Sequence, residues 1–240
     1  MKLAVSETFY SIQGEGLTTG YPAVFLRLGG CNLMCGGWGT QKDNELHDGA
    51  TWRCDSIEVW MKSKGKEFDN IFDNECMIAL QCGAHLVITG GEPLMQQDKL
   101  MYFIKWLRNG IPELYIEIET NGTIVPTNSM LNLVNQWNCS PKLSNSGMGY
   151  EARYNAEAIR VLNQYNTIFK FVISTEDDWD EILQEYYKAI DKSKIMLMPS
   201  GSNQKELKKT KTLVADICKN NFIKFSNRLH IDIWNKKTGV

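Results

Sequence analysis

Cys31 and Cys35, in "CNLMCGGWGTQ", are separated by three residues and follow the pair Gly29-Gly30. The glycines let the chain turn sharply into a loop, so that both thiols can face one point. Iron–sulfur proteins use such spacing to hold two corners of a cluster. Two thiolates are too few, because a [4Fe–4S] cluster that leaves one iron open still takes three. Zinc prefers four ligands at paired CxxC or HxxxH spacings, and His47 has no neighbour at such a spacing. The plain alternative is a pair of loop or buried thiols with no metal.

A third thiolate has three candidate sources: Cys54, Cys76 and Cys82. Cys76 and Cys82 lie in "FDNECMIALQCG", whose helical periodicity makes them packing residues. Cys54 lies in the polar segment "GATWRCDS" and is the favoured ligand. Ser56, two residues on, offers a hydroxyl suited to Mg²⁺, a hard cation that needs few protein ligands.

These residues need a frame. "AVFLRL" (23–28), "HLVIT" (85–89), "LYIEIET" (114–120), "TIFKFVI" (167–173) and "KIMLMP" (194–199) read as short strands, with another near 135–139. Amphipathic segments at 96–110, 151–165, 176–190 and 204–221 read as helices between them. Such alternation predicts an α/β fold with a parallel sheet covered by helices. Chemistry in these folds sits where the strands end. Here "GGC", "GGEP", "TNGT", "SPK" and "PSGSN" all follow strands, so five strand ends converge on one rim.

The chain has 240 residues, 43% hydrophobic and 22% charged, with a net charge of −2. That balance suits a globular protein and carries no bulk attraction to nucleic acid. No apolar run approaches the roughly 20 residues needed to span a bilayer. Ser6, Glu7 and Thr8 interrupt any signal-peptide core, so a cytoplasmic location is expected. Seven cysteines, an odd number, argue against a disulfide framework. No linker or repeat divides the chain, so a single domain over 1–240 is expected.

The sequence resembles the radical S-adenosylmethionine (SAM) superfamily, and within it the 7-carboxy-7-deazaguanine synthase family. The resemblance rests on "FYSIQGEG" (9–16), "AVFLRLGGCNLMC" (23–35), "WRCDS" (52–56), "ITGGEPLMQ" (88–96), "IETNGT" (118–123), "SPK" (140–142) and the terminal "RLHIDIW…GV". It departs from the usual CxxxCxxC loop, which would place a cysteine where Trp38 stands. An insertion at about 36–53 moves the third cysteine to Cys54, as in some members of the family.

The resemblance implies a partial TIM-type barrel of parallel strands with outer helices, the radical SAM core. It implies that Cys31, Cys35 and Cys54 ligate a [4Fe–4S] cluster and that Ser56 ligates Mg²⁺. SAM would be bound by Gly91 and Glu92, by groups at Arg53 and Asp55, by Ser140, Pro141 and Lys142, and by Met198, Pro199, Ser200 and Gly201. The substrate would be read by Ile12, Gln13, Gly14 and Glu15, with Arg27 on its carboxylate and Thr89, His230 and the terminal carboxylate of Val240 nearby. Asn121 reads more simply as a turn residue before Gly122.

The implied reaction begins with reductive cleavage of SAM to a 5′-deoxyadenosyl radical. It converts 6-carboxy-5,6,7,8-tetrahydropterin to 7-carboxy-7-deazaguanine and ammonia, in queuosine-type biosynthesis. A flavodoxin- or ferredoxin-type electron donor and a homodimer are expected, with no direct nucleic-acid or membrane partner. Two other functions compete. A radical SAM activating enzyme would act on a partner protein, although such enzymes lack "SIQGEG". A non-catalytic metal-binding module would keep the fold without cleaving SAM.

Overall fold

The computed structural model describes residues 1–237 and Gly239. Val240, expected to face the substrate, lies outside the described residues. Nine strands form one sheet: β1 (Lys2–Ile12), β2 (Pro22–Leu28), β3 (Lys64–Glu67), β4 (His85–Gly90), β5 (Ile116–Thr120), β6 (Gln136–Cys139), β7 (Thr167–Ile173), β8 (Ile195–Pro199) and β9 (Lys224–Phe225). Their order is β3-β1-β2-β4-β5-β6-β7-β8-β9, and no pairing among the described residues joins the two ends. Every pair from β2 to β9 is parallel, which gives the partial barrel expected. At one edge β1 pairs antiparallel with both β2 and β3, an addition that the strand–helix alternation did not reveal.

The helices are α1 (Thr40–Asp43), α2 (Ile57–Trp60), α3 (Asn74–Gln81), α4 (Gln97–Gly110), α5 (Asn128–Leu133), α6 (Tyr150–Arg153), α7 (Ala156–Leu162), α8 (Asp177–Glu185), α9 (Gln204–Asn221) and α10 (Leu229–Trp234). In α4, Leu100, Phe103, Ile104 and Leu107 are buried at helical spacing. α9 starts at Asn203, whose side chain accepts from the Glu206 amide as an N-cap. The helix expected over 151–165 is broken at Tyr154-Asn155, because Asn155 caps a new helix by accepting from the amides of Glu157 and Ala158. The helix expected over 176–190 ends at Glu185, where the Tyr186 and Tyr187 amides both turn back to the Ile182 carbonyl.

Period-two alternation sorts the strand residues into two faces. Val24, Leu26, Leu28, Leu86, Ile88, Ile116, Ile118, Trp137, Cys139, Phe169 and Phe171 pack into the main core. Their neighbours Arg27, Thr89, Glu119, Asn138 and Lys170 line the cavity on the opposite face. The barrel interior is therefore polar, and the helices cover the apolar face.

Candidate active site

One cavity of about 780 Å³ opens at the strand ends. Cys31, Cys35 and Cys54 all line it. Cys35 is buried, while Cys31 and Cys54 are half-buried. The three thiols pack together with Leu33, Met34, Trp52 and Met148. Cys76 is buried in the main core and Cys82 is exposed at the end of α3, so the exposed position of Cys82 departs from the packing role expected.

Residues 36–53, expected to be an insertion, form a folded loop. Its Gly36 and Thr51 amides bond the carbonyls of Ser146 and Asn145, and the His47 amide bonds the Gly36 carbonyl. Gly37 adopts φ 90°, and a Cβ there would stand 2.4 Å from the His47 carbonyl oxygen. Arg53 donates from Nε to Thr40 Oγ1 at 3.0 Å and pairs through Nη2 with Glu58 at 2.5 Å. Its side chain thus braces the loop and leaves its backbone beside the cavity.

Burial pushes the Cys31 thiol up to about 11, against an opposing backbone hydrogen bond from Leu33. Burial likewise pushes Cys35 up to about 12, and it raises Cys54. Three buried thiolates need compensating positive charge, which iron supplies. Among the described residues, no three His, Cys, Asp or Glu groups stand as a site for one metal ion. Three thiols grouped on one cavity suit an iron–sulfur cluster, which cysteines hold, better than structural zinc, which takes four ligands. Ser56 lines the cavity and donates to Asp55 Oδ1 at 2.9 Å. A hydroxyl beside one carboxylate fits Mg²⁺, which takes few protein ligands and keeps waters and substrate oxygens as its others.

Around these thiols the cavity collects Ile12, Gln13, Gly14, Glu15, Arg27, Arg53, Asp55, Thr89, Gly91, Ser140, Lys142, Met198, Ser200, Gly201 and His230. Pro141 and Pro199 are buried beside it without lining it. Glu92 is fully buried and does not line it either. Its Oε1 accepts from the Leu94 amide at 3.0 Å and Thr120 Oγ1 at 2.8 Å, and its Oε2 accepts from the Asn121 amide at 2.7 Å. Glu92 thus ties the GGEP loop to the TNG loop, whereas the expectation had it binding SAM.

Asn121 does more than hold a turn. Its Oδ1 accepts from the Thr123 amide and hydroxyl, so its Nδ2 must face Asn32 Oδ1 at 2.9 Å and Cys31 Sγ at 4.0 Å.

On the substrate side, Arg27 Nε stands 2.9 Å from Glu7 Oε1, and its guanidinium lies 5.7 Å from the Phe9 ring centroid. Thr89 Oγ1 donates to Glu119 Oε2 at 2.7 Å, and Gln13 Nε2 reaches Glu119 Oε1 at 3.4 Å. Glu15 pairs with Lys170 and, at 2.8 Å, with Arg228 Nε. Burial alone would raise the Glu15 carboxyl, but Lys170 and Arg228 outweigh it and hold it well below the carboxylate range. Burial lowers the His230 imidazole from its ordinary 6.5, with Glu15 pulling the other way. A Cβ on Gly14 would stand 2.1 Å from His230 Nδ1, so only glycine lets the backbone lie flush against that ring.

Glu119, Asn138, Lys170 and Arg228 were not among the expected site residues. Lys170 carried a signal: a lysine inside the apolar run "TIFKFVI" must face away from the core.

The comparisons with known proteins agree with this geometry. A family model described as a 4Fe-4S single cluster domain matches residues 12–139. The 7-carboxy-7-deazaguanine synthase of Halobacterium salinarum is 31% identical, over 97% of this chain and 91% of that protein. The enzyme of the same name from Pyrobaculum aerophilum is 30% identical, over 99% of this chain and 97% of its own length. The crystal structure of QueE from Escherichia coli superposes with a TM-score of 0.63 at 26% identity, covering 96% of this chain and 95% of that one. Shared sequence along nearly the whole length, a shared fold and three thiols on one cavity lead to one conclusion: the chain belongs to the 7-carboxy-7-deazaguanine synthase family.

Proposed function

We propose that this chain converts 6-carboxy-5,6,7,8-tetrahydropterin to 7-carboxy-7-deazaguanine with loss of ammonia. The observation that carries this reading is the single cavity in which three thiols and a cationic strand end, Arg27, converge. Cys31, Cys35 and Cys54 would hold the [4Fe–4S] cluster, with SAM bound in the same cavity. When bound, the cluster and SAM supply the one-electron chemistry that starts the ring contraction.

The chain's own residues bind and orient. Arg27, steadied by Glu7 and the Phe9 ring, pairs with the substrate carboxylate through its planar fork. Glu119, held by Thr89 and Gln13, presents an acceptor to N–H groups of the pterin. Both Glu15 oxygens are engaged by cations, so residues 12–15 read the ligand mainly through backbone groups. Lys142, bonded to Ser140 Oγ at 3.0 Å and 5.8 Å from the Trp52 ring centroid, places a cation beside the thiols for the SAM carboxylate. Gly91, Met198, Ser200 and Gly201 line the cavity and would face SAM, and Ser56 would hold Mg²⁺, which could offset charge on the substrate.

The electron donor is a flavodoxin- or ferredoxin-type protein, and the working enzyme is a cytoplasmic homodimer. No helix among the described residues is long and apolar enough to cross a membrane. The test is anaerobic turnover of the carboxytetrahydropterin by cluster-loaded protein with SAM and a strong reductant. Ring-contracted product and one ammonia are expected. SAM cleavage without that product would overturn the substrate and leave the cofactors standing.

A further inference from the structure

Arg228 lies just before α10, and its guanidinium reaches three separate loops. Nε bonds Glu15 Oε1 at 2.8 Å, Nη2 bonds Asp55 Oδ2 at 2.7 Å, and Nη1 donates to the Gly201 carbonyl. Only 13% of the side chain is accessible. The three partners serve different ends of the cavity. Glu15 belongs to the segment that reads the pterin, Asp55 stands between Cys54 and Ser56, and Gly201 ends the SAM-lining turn after β8.

The chain stitches Arg228 firmly to the substrate loop. The Leu229 amide donates to the Gly14 carbonyl at 2.8 Å, and the Gly16 amide donates to Ser226 Oγ at 3.1 Å. On the SAM side, Gly201 takes φ 145° and packs so closely that a Cβ would stand 2.7 Å from the Leu207 amide nitrogen. Its carbonyl direction is therefore fixed by backbone that no larger residue could adopt. The charged and titratable groups facing the guanidinium are Glu15, Asp55, Lys170 and His230. Glu15 and Asp55 repel each other, and Arg228 is the cation that bonds to both.

A buried cation serving one loop would be ordinary scaffold. Arg228 instead uses each arm of a rigid, planar fork on a different ligand-bearing loop, so none of the three can shift without turning the guanidinium against the other two. We propose that Arg228 is a positioning residue that couples the SAM half of the cavity to the pterin half, so that each ligand tightens the other. This rests on the functional reading above. Linkage requires the coupling to be reciprocal.

The test measures SAM binding to cluster-loaded protein with and without the pterin, and pterin binding with and without SAM. The cluster is left oxidised so that no turnover occurs. In the wild type each ligand should tighten the other by the same factor, about fivefold or more. Arg228→Met should bring that factor close to one, whereas Arg228→Lys, which keeps the charge but loses the fork, should retain part of it. Asp55→Ala removes the acceptor of one arm and leaves the guanidinium in place, so it should also reduce the factor even if Arg228→Met fails to fold. Equal affinities with and without the second ligand in the wild type would overturn the proposal. So would an unchanged factor in Arg228→Met or, should that variant not fold, in Asp55→Ala. A wild type that binds SAM but no pterin would overturn the functional reading instead, and the proposal with it.

Discussion

The Cys54 amide donates to the Cys35 carbonyl at 3.1 Å, although residues 36–53 lie between them. The loop leaves the second thiol and returns to it, so the third thiol arrives beside the second. Cys54→Ala should abolish the visible thiolate-to-iron absorption and the iron content of anaerobically reconstituted protein. Cys76→Ala, in the core, should keep both and lose only about 1 kcal/mol of stability. A full cluster in the Cys54 variant would move the third ligand elsewhere.

Gly91 makes the GGEP loop touch the cluster loop. Its amide bonds the Leu28 carbonyl at 3.1 Å, the Glu92 amide bonds the Gly30 carbonyl at 2.9 Å, and a Cβ would stand 1.8 Å from the Gly30 oxygen. Because the obstacle is backbone, relief requires the two loops to separate. Gly91→Ala should cost about 3 kcal/mol in chemical denaturation. Gly110→Ala at the end of α4, where nothing lies within 4 Å of the added methyl, should be neutral or slightly stabilising.

Glu92 distinguishes a ligand from a brace. With three donors on its two oxygens, Glu92→Gln turns one acceptor into a donor facing a donor, at a cost of about 2 kcal/mol. Stability and SAM affinity should fall together, as calorimetry and denaturation would register. Loss of SAM affinity at unchanged stability would instead return Glu92 to direct contact with the cofactor.

Glu15 makes stability depend on pH with a definite sign. The folded protein holds this carboxyl below its ordinary 4.5, because Lys170 and Arg228 outweigh the effect of burial. The folded state therefore binds fewer protons than the unfolded one, and the contribution is present above 4.5 and lost as pH falls below it. Glu15→Gln should lower the urea midpoint at pH 7 and flatten its decline in acid relative to the wild type. Parallel declines in the two proteins would contradict the ion-pair account. Asp55, lowered to about 2 because Arg228 outweighs burial, adds in the same direction. Its side chain is 46% accessible, so water screens that pair more strongly.

Much of this architecture was legible because it is local. Leu100, Phe103, Ile104 and Leu107 recur at helical spacing, and the runs from "AVFLRL" to "KIMLMP" alternate as strands do. β1 was missed because "KLAVSETFYSI" carries Ser6 and Glu7 at an irregularity between Val5 and Glu7, where the pairing register shifts. The break between α6 and α7 depends on Asn155, whose side chain caps α7 and also donates to the Thr123 carbonyl, a partner far along the chain. The same limit hid Lys170 and Arg228. Each becomes a site residue through Glu15, 155 and 213 positions away, and no local pattern encodes a charge pair at that range. Glu92 was legible as important but not as a brace, because two of its three donors come from a neighbouring strand end.

Trp52 lies against the thiol group, its indole held by Asn145 Oδ1 at 2.9 Å and overlooked by Lys142. Its emission must respond to whatever those sulfurs hold, since iron at that range drains an excited indole. The fold therefore carries an optical gauge of its own assembly, readable in the absence of SAM, pterin or turnover. Trp52→Phe would weaken that gauge, and Trp60, the second indole beside Cys54, would carry what remains.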